Sequence, residues 1–223
     1  MQPATRRRVT FLAAFSAYFV AVWLFWATPL VYPLRIFVVL LHEISHALAG
    51  IATGGDVERI VLTMDEGGAT YVRGGSPFLM LSAGYLGSLA WGLLLLESAR
   101  APNRWLRRIV GAVGLFVTVI AVLFVRNIFG LLFSLAFGAA LILASRRLMP
   151  RTNATLLTVL GLTSALYAVL DIRSDVLQRP WLESDAHMLS ELTGVPTLLW
   201  GLLWSGLALV ASGWAVRRAY LSA

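Results

Sequence analysis

The sequence predicts an all-α polytopic membrane protein of about six to seven transmembrane helices, with a short β-hairpin after one of them. Three observations predict it. The 223 residues are 59% hydrophobic and 13% charged, an apolar share above the roughly 45–50% of soluble domains. Apolar runs of about 20 residues, the length that crosses a bilayer core, recur along the chain. The basic residues fall in short clusters between those runs, at Arg6 to Arg8, Arg100 to Arg108, Arg146 to Arg151 and Arg217 to Arg218, as in loops that face anionic lipid on the cytoplasmic side. The net charge of +7 is therefore assigned to a lipid bilayer partner and not to nucleic acid. With no cysteine in the chain, neither a disulfide framework nor a thiolate metal site is open to it. Any metal must be held by nitrogen and oxygen.

The elements follow in order. The first run, 9–28, comes after Arg6 to Arg8; it is long for a signal peptide and shows no small-residue cleavage site, so it reads as a retained span. The second, 34–53, is set off by Pro29 and Pro33. Between it and the third run lies Asp56 to Arg73, in which β-branched residues flank Asp65-Glu66-Gly67-Gly68, a hairpin signal. Such backbone lies at the interface or lines a cavity. The third run, 77–97, contains "SAGYLGSLAWG", where Gly84 and Ser88, and Ser88 and Gly92, form small-residue pairs suited to close helix packing. Arg126 and Asn127 mark a turn between the fourth run, 105–124, and the fifth, 127–145. The sixth, 154–171, closes on Asp171, and the seventh is 196–216. Between them "SDAHMLSELTG" reads as a capped amphipathic helix, with Ser184 or Asp185 as N-cap and Gly194 as its stop. The expectation is one membrane domain over 1–223. If all seven runs span, Arg6 to Arg8 fall opposite the other clusters, so either one run is re-entrant or one cluster breaks the positive-inside rule.

The chemistry is concentrated in "LLHEISHALAG", residues 40–50. His42 and His46 are four apart, so on a helix they share a face with Cβ atoms about 5–6 Å apart and both imidazoles reach one ion. Glu43 is placed to take a proton from a water on that ion, as the His-Glu-x-x-His motif requires. Zinc suits two imidazoles and a carboxylate with a fourth position left open. A histidine in a span is also a common hydrogen-bonding element between helices, but three costly polar groups together in an apolar helix mark function. A third protein ligand is needed. Asp171 is the first candidate, because a carboxylate closing an apolar run needs a reason, and because the second and sixth runs point the same way, so their ends lie on one side. Asp185 and His187, in the following loop, are rivals. A charge at a helix end, paired with Arg173, would equally account for Asp171.

With these residues in view, the chain resembles the site-2 protease group of intramembrane zinc metalloproteases, in its compact bacterial peptidase M-fifty-B-like branch. The resemblance rests on His42-Glu43-Ile44-Ser45-His46, the hairpin after it, "SAGYLGS", and Leu170-Asp171. It implies zinc ligands at His42, His46 and Asp171, a catalytic Glu43, zinc as cofactor, membrane protein substrates, and a location in a bacterial cell (inner) membrane with the zinc site toward the cytoplasm. Tyr85 stands where the family has proline, Ser88 where it often has asparagine, and Ile172 where its Leu-Asp-Gly motif has glycine. The function expected is peptide-bond hydrolysis in or beside the bilayer. The rival reading is a non-catalytic scaffold or a metal-binding or transport protein, although a carrier would place more ionisable groups deep in several spans than this chain does.

Overall fold

The computed structural model describes residues 28–173 and 184–222 continuously, together with 9, 13, 16–18, 20–22 and 24–26. The chain is mostly helical, with a small antiparallel hairpin. Described residues between Val9 and Phe25 are helical. They are followed by α1 (Tyr32–Ala52), β1 (Asp56–Leu62), β2 (Gly68–Arg73), α2 (Pro77–Ser98), α3 (Asn103–Phe124), α4 (Ile128–Arg147), α5 (Pro150–Arg173), α6 (Asp185–Thr193) and α7 (Thr197–Ser222). Among the described residues, five helices are long and apolar enough to cross a membrane: α1, α2, α3, α4 and α7. The sixth expected run also forms a helix, α5, but it falls outside those five. Inside α5 the Thr158 and Thr163 hydroxyls are satisfied by the helix itself, donating to the Ala154 and Val159 carbonyls at 2.9 and 2.7 Å. The first expected run falls partly outside the described residues.

Small residues let the helices approach. A Cβ at Gly92 of α2 would lie 2.7 Å from the Ala165 amide nitrogen and 2.8 Å from the Gly161 carbonyl of α5, and the Ser164 hydroxyl donates to the Ser88 carbonyl at 2.7 Å. Gly114 of α3 meets the Gly138 carbonyl of α4 in the same way, with 2.7 Å left for a Cβ. The principal core gathers on α1, where residues 36–41 are all buried, together with Ile60 and Leu62 of β1 and the inner faces of α3 and α5.

The hairpin turns over Thr63–Gly67, a longer loop than a two-residue turn, with Glu66 at φ +65° and the Thr63 amide donating to the Gly67 carbonyl at 2.8 Å. Its tip folds back onto the start of α1. The Tyr32 hydroxyl donates to the Met64 carbonyl at 2.9 Å, and Arg35 pairs with Glu66 at 2.6 Å. The outer edge of β1 is covered by the α3–α4 connection: Ile60 bridges Val125, the Arg126 amide donates to the Ile60 carbonyl at 3.0 Å, and the Asn127 side chain satisfies both main-chain groups of Leu62, at 3.1 and 2.6 Å. Arg126 and Asn127 are thus a turn that also closes a strand edge. In the two-stranded sheet β2 pairs with β1 alone, and the residues of β2 line a cavity beside α1.

Candidate metal centre

Helical spacing puts His42 and His46 on one face of α1, and their rings meet edge-on with centroids 4.7 Å apart. Both Nε2 atoms converge on a single oxygen: Asp185 Oδ2 lies 3.1 Å from His42 and 3.3 Å from His46. Ligating atoms of His42, Glu43 and His46 all fall within 4.8 Å of one another.

Asp185 reaches this point because the helix that carries it is capped by someone else. The Ser184 hydroxyl accepts the His187 amide at 3.3 Å, and α6 stops at Gly194 in the left-handed conformation, φ +73°. Asp185 is then the first helical residue, buried at 8% exposure. Ala186 and Leu189 of the same helix pack with Tyr85, Ile172 and Trp204, which fixes the angle at which the carboxylate enters. On the α2 side, Gly84 makes room: a Cβ there would collide with both Asp185 Oδ2 and His42 Nε2. The Tyr85 ring stands edge-on to His42 at 5.4 Å.

Proton positions follow from partners. His46 Nδ1 is 2.7 Å from the Met80 carbonyl, which can only accept. Nδ1 therefore carries a proton, which leaves Nε2 as the nitrogen a metal would take. That nitrogen faces a buried carboxylate oxygen, Asp185 Oδ2, 3.3 Å away. Burial alone would raise the Asp185 carboxyl, but the adjoining imidazoles, His46 first, overcome this and hold it well below the usual carboxylate range. A carboxylate oxygen and two imidazole nitrogens converging on one point form a donor set suited to a cation. With no thiolate in the chain, two nitrogens and one carboxylate oxygen fit a three-ligand zinc site with an open position.

Glu43 sits beside this set, 4% exposed. The Thr70 hydroxyl of β2 lies 2.7 Å from Glu43 Oε2 and 3.0 Å from the Glu43 carbonyl, and a Cβ at Gly68 would collide with the carboxylate. The hairpin thus holds the Glu43 rotamer from one side while α1 supplies it from the other. A cavity of about 910 Å³ opens here. Its walls are β2, the histidine face of α1, the start of α2, Tyr167 and Leu170 of α5, and Asp185 and Met188 of α6.

Of the residues singled out in the sequence, His42, Glu43 and His46 come together, and Asp185 joins them. Asp171 lies in the last turn of α5, next to Leu170 on the cavity wall, and its side chain lies outside the described residues. His187 pairs with Glu191 one turn along α6, at 3.6 Å, and is not part of the cavity wall. Sequence reasoning missed Gly68, Thr70 and the site role of Gly84. The sequence reads Gly84 as helix packing, and its small-residue spacing offers no hint that an imidazole and a carboxylate, rather than a helix backbone, fill the space. The Peptidase M50B-like family matches residues 15–215 of the chain. No curated protein and no solved structure matches it.

Proposed function

The chain belongs to the Peptidase M50B-like family, and from that premise we propose that it is a membrane-embedded zinc metallopeptidase hydrolysing peptide bonds of membrane or membrane-proximal proteins. The observation that carries this reading is the convergence of His42 Nε2, His46 Nε2 and Asp185 Oδ2 beside a buried Glu43. His42, His46 and Asp185 are the proposed ligands. Asp185 replaces Asp171 as the favoured third ligand, because its carboxylate already meets both imidazoles. Zinc held there would polarise the scissile carbonyl and lower the pKa of a water to roughly 7.

The remaining steps belong to the chain's own side chains. Glu43 accepts the proton of the attacking water and passes it to the departing amine, so that no charge accumulates on the leaving nitrogen. The Thr70 hydroxyl on Oε2 and the close approach of Gly68 keep that carboxylate from swinging away between the two transfers. A helical amide is hydrogen-bonded and screened by its own side chains, so the substrate must be extended before it can be cut. With the outer edge of β1 covered by Val125 to Asn127, β2 is the strand along which an extended segment would align.

The test is Glu43→Gln in the full chain, with zinc content and cleavage of a co-expressed membrane substrate measured together. Retained zinc with cleavage lowered by about 10²-fold or more is the expected result. Undiminished cleavage would remove Glu43 from the mechanism.

A further inference from the structure

The two ends of the helical bundle differ in charge. The α2–α3 and α4–α5 connections share one end, and Arg218 of α7, 3.7 Å from Glu97 of α2, brings the end of α7 to it. Exposed arginines crowd this end: Arg104, Arg107 and Arg108 from α3, Arg146 and Arg147 from α4, and Arg151 from α5. Among the described residues Glu97 is its sole carboxylate. Two tryptophans mark the same level. Trp105 and Trp214 are 44% and 52% exposed, with the Arg108 and Arg218 guanidinium groups 5.0 and 5.3 Å above their rings. Tryptophan under arginine is the pairing found where a helix leaves the hydrocarbon for charged headgroups.

The metal centre belongs to the other end. Met80 and Gly84, which meet His46 and His42, lie three and seven residues after Pro77, the start of α2, so the centre is about 10 Å or less along that helix. The hairpin, the α3–α4 connection and α6 are at this end too, and with them Asp56, Glu58, Asp65, Glu66 and Glu191. These offset Arg35, Arg59, Arg73 and Arg126, whereas among the described residues Glu97 stands alone against the arginines of the other end.

The N-terminal segment fits the same polarity. Tyr18 bonds to Val159 and Thr163, and Trp26 packs on Tyr167 with centroids 6.1 Å apart. The segment therefore advances in the same direction as α5, from the arginine end toward the site. Arg35 of α1 lies 5.7 Å over the Trp26 ring, so α1 starts near the level of Tyr167 and not at the arginine end. The seven runs do not alternate strictly, which is why counting them appeared to break the positive-inside rule.

We infer that the arginine end rests on the anionic phospholipid headgroups of the cytoplasmic leaflet and that the metal centre opens on the opposite side, so that its substrates are segments exposed outside the cytoplasm. This reverses the orientation that the resemblance implied. The statement about substrates rests on the metallopeptidase reading; the orientation rests on the distribution of arginine, with tryptophan marking only the level of the interface.

Because the chain has no cysteine, single-cysteine variants test it cleanly. Met149→Cys, in the α4–α5 connection and 72% exposed, reports the arginine end, and Leu192→Cys, on α6 and 51% exposed, reports the site end. A second pair, Thr152→Cys and Met64→Cys, guards against a variant that fails to fold. Intact cells expressing the full chain are treated with a membrane-impermeant maleimide, before and after permeabilisation. The expected result is labelling of Leu192→Cys and Met64→Cys in intact cells, with Met149→Cys and Thr152→Cys labelled at least tenfold less until the membrane is opened. The reverse pattern, or equal labelling of both ends in intact cells, overturns the inference. Replacing Arg146 and Arg147 with glutamate should raise Met149→Cys labelling in intact cells; no change would overturn the role given to the arginines. None of these readouts depends on catalysis, so a failed orientation and a failed peptidase assignment are separable.

Discussion

Helices α1 and α7 have the same mean hydropathy over their most apolar windows, 1.5, yet 67% of the α1 window is buried inside the protein against 17% of the α7 window. Apolar character alone does not separate a helix wrapped by protein from one left to lipid. The ionisable groups do. Helix α7 keeps its charges at its end, Arg217 and Arg218, whereas α1 carries Arg35, His42, Glu43 and His46 along its length. In hydrocarbon each of these must find a partner or be lost, and α1 recruits a neighbour for each. Arg35 takes Glu66 of the hairpin tip, Glu43 takes Thr70 of β2, His46 takes the Met80 carbonyl of α2, and both histidines take Asp185 of α6. The burial of α1 follows from its chemistry.

The largest effect should come from closing the space in which those neighbours meet. Gly84→Leu drives a side chain into His42 and Asp185, and the expectation is loss of stoichiometric zinc and of peptidase activity, read by metal analysis of purified protein. Retained zinc would mean that the three groups do not share an ion. A smaller effect is expected one contact further out. Thr70→Val removes the hydroxyl from Glu43 Oε2, a hydrogen bond to a charged group worth roughly 1.5–3 kcal/mol, and should lower kcat about tenfold or more with KM and zinc content unchanged. Thr70→Ser should restore most of it, and a valine variant with wild-type kcat would reduce Thr70 to packing. At the opposite extreme, Val210→Ala on α7, at a position 74% exposed, should change thermal stability in a bilayer mimic by less than about 0.5 kcal/mol. A large loss there would show that the exposed face of α7 is a protein interface and would blur the contrast with α1.

How much of this was legible in the sequence depended on how local each feature is. The His42 and His46 pair is fixed by one helical turn, so the motif and its base could be read directly. The hairpin could be read from Asp65 to Gly68, and the ends of most runs agree with the helices within a few residues. Asp185 could not be preferred over Asp171, because its neighbours in sequence describe a helix start and nothing more. Only the structure separates the two roles, giving the cap to Ser184 and the inward position to Asp185. Thr70 and Asn127 were equally opaque. Their partners, Glu43 and Leu62, are 27 and 65 residues away, and nothing in a strand threonine or a turn asparagine points that far. The second and sixth runs do end on one side, as α1 and α5; strict alternation fails at the first and second runs instead, since α1 starts beside Trp26 near the level of the site.

The central claim is that Asp185 completes the metal centre with His42 and His46. It is tested most directly by the zinc content of purified full-length protein carrying Asp185→Ala or Asp171→Ala, set beside wild type. The account predicts one zinc per chain in wild type and in Asp171→Ala, and loss of zinc in Asp185→Ala with the helical content unchanged. Full zinc in Asp185→Ala together with its loss in Asp171→Ala would contradict it.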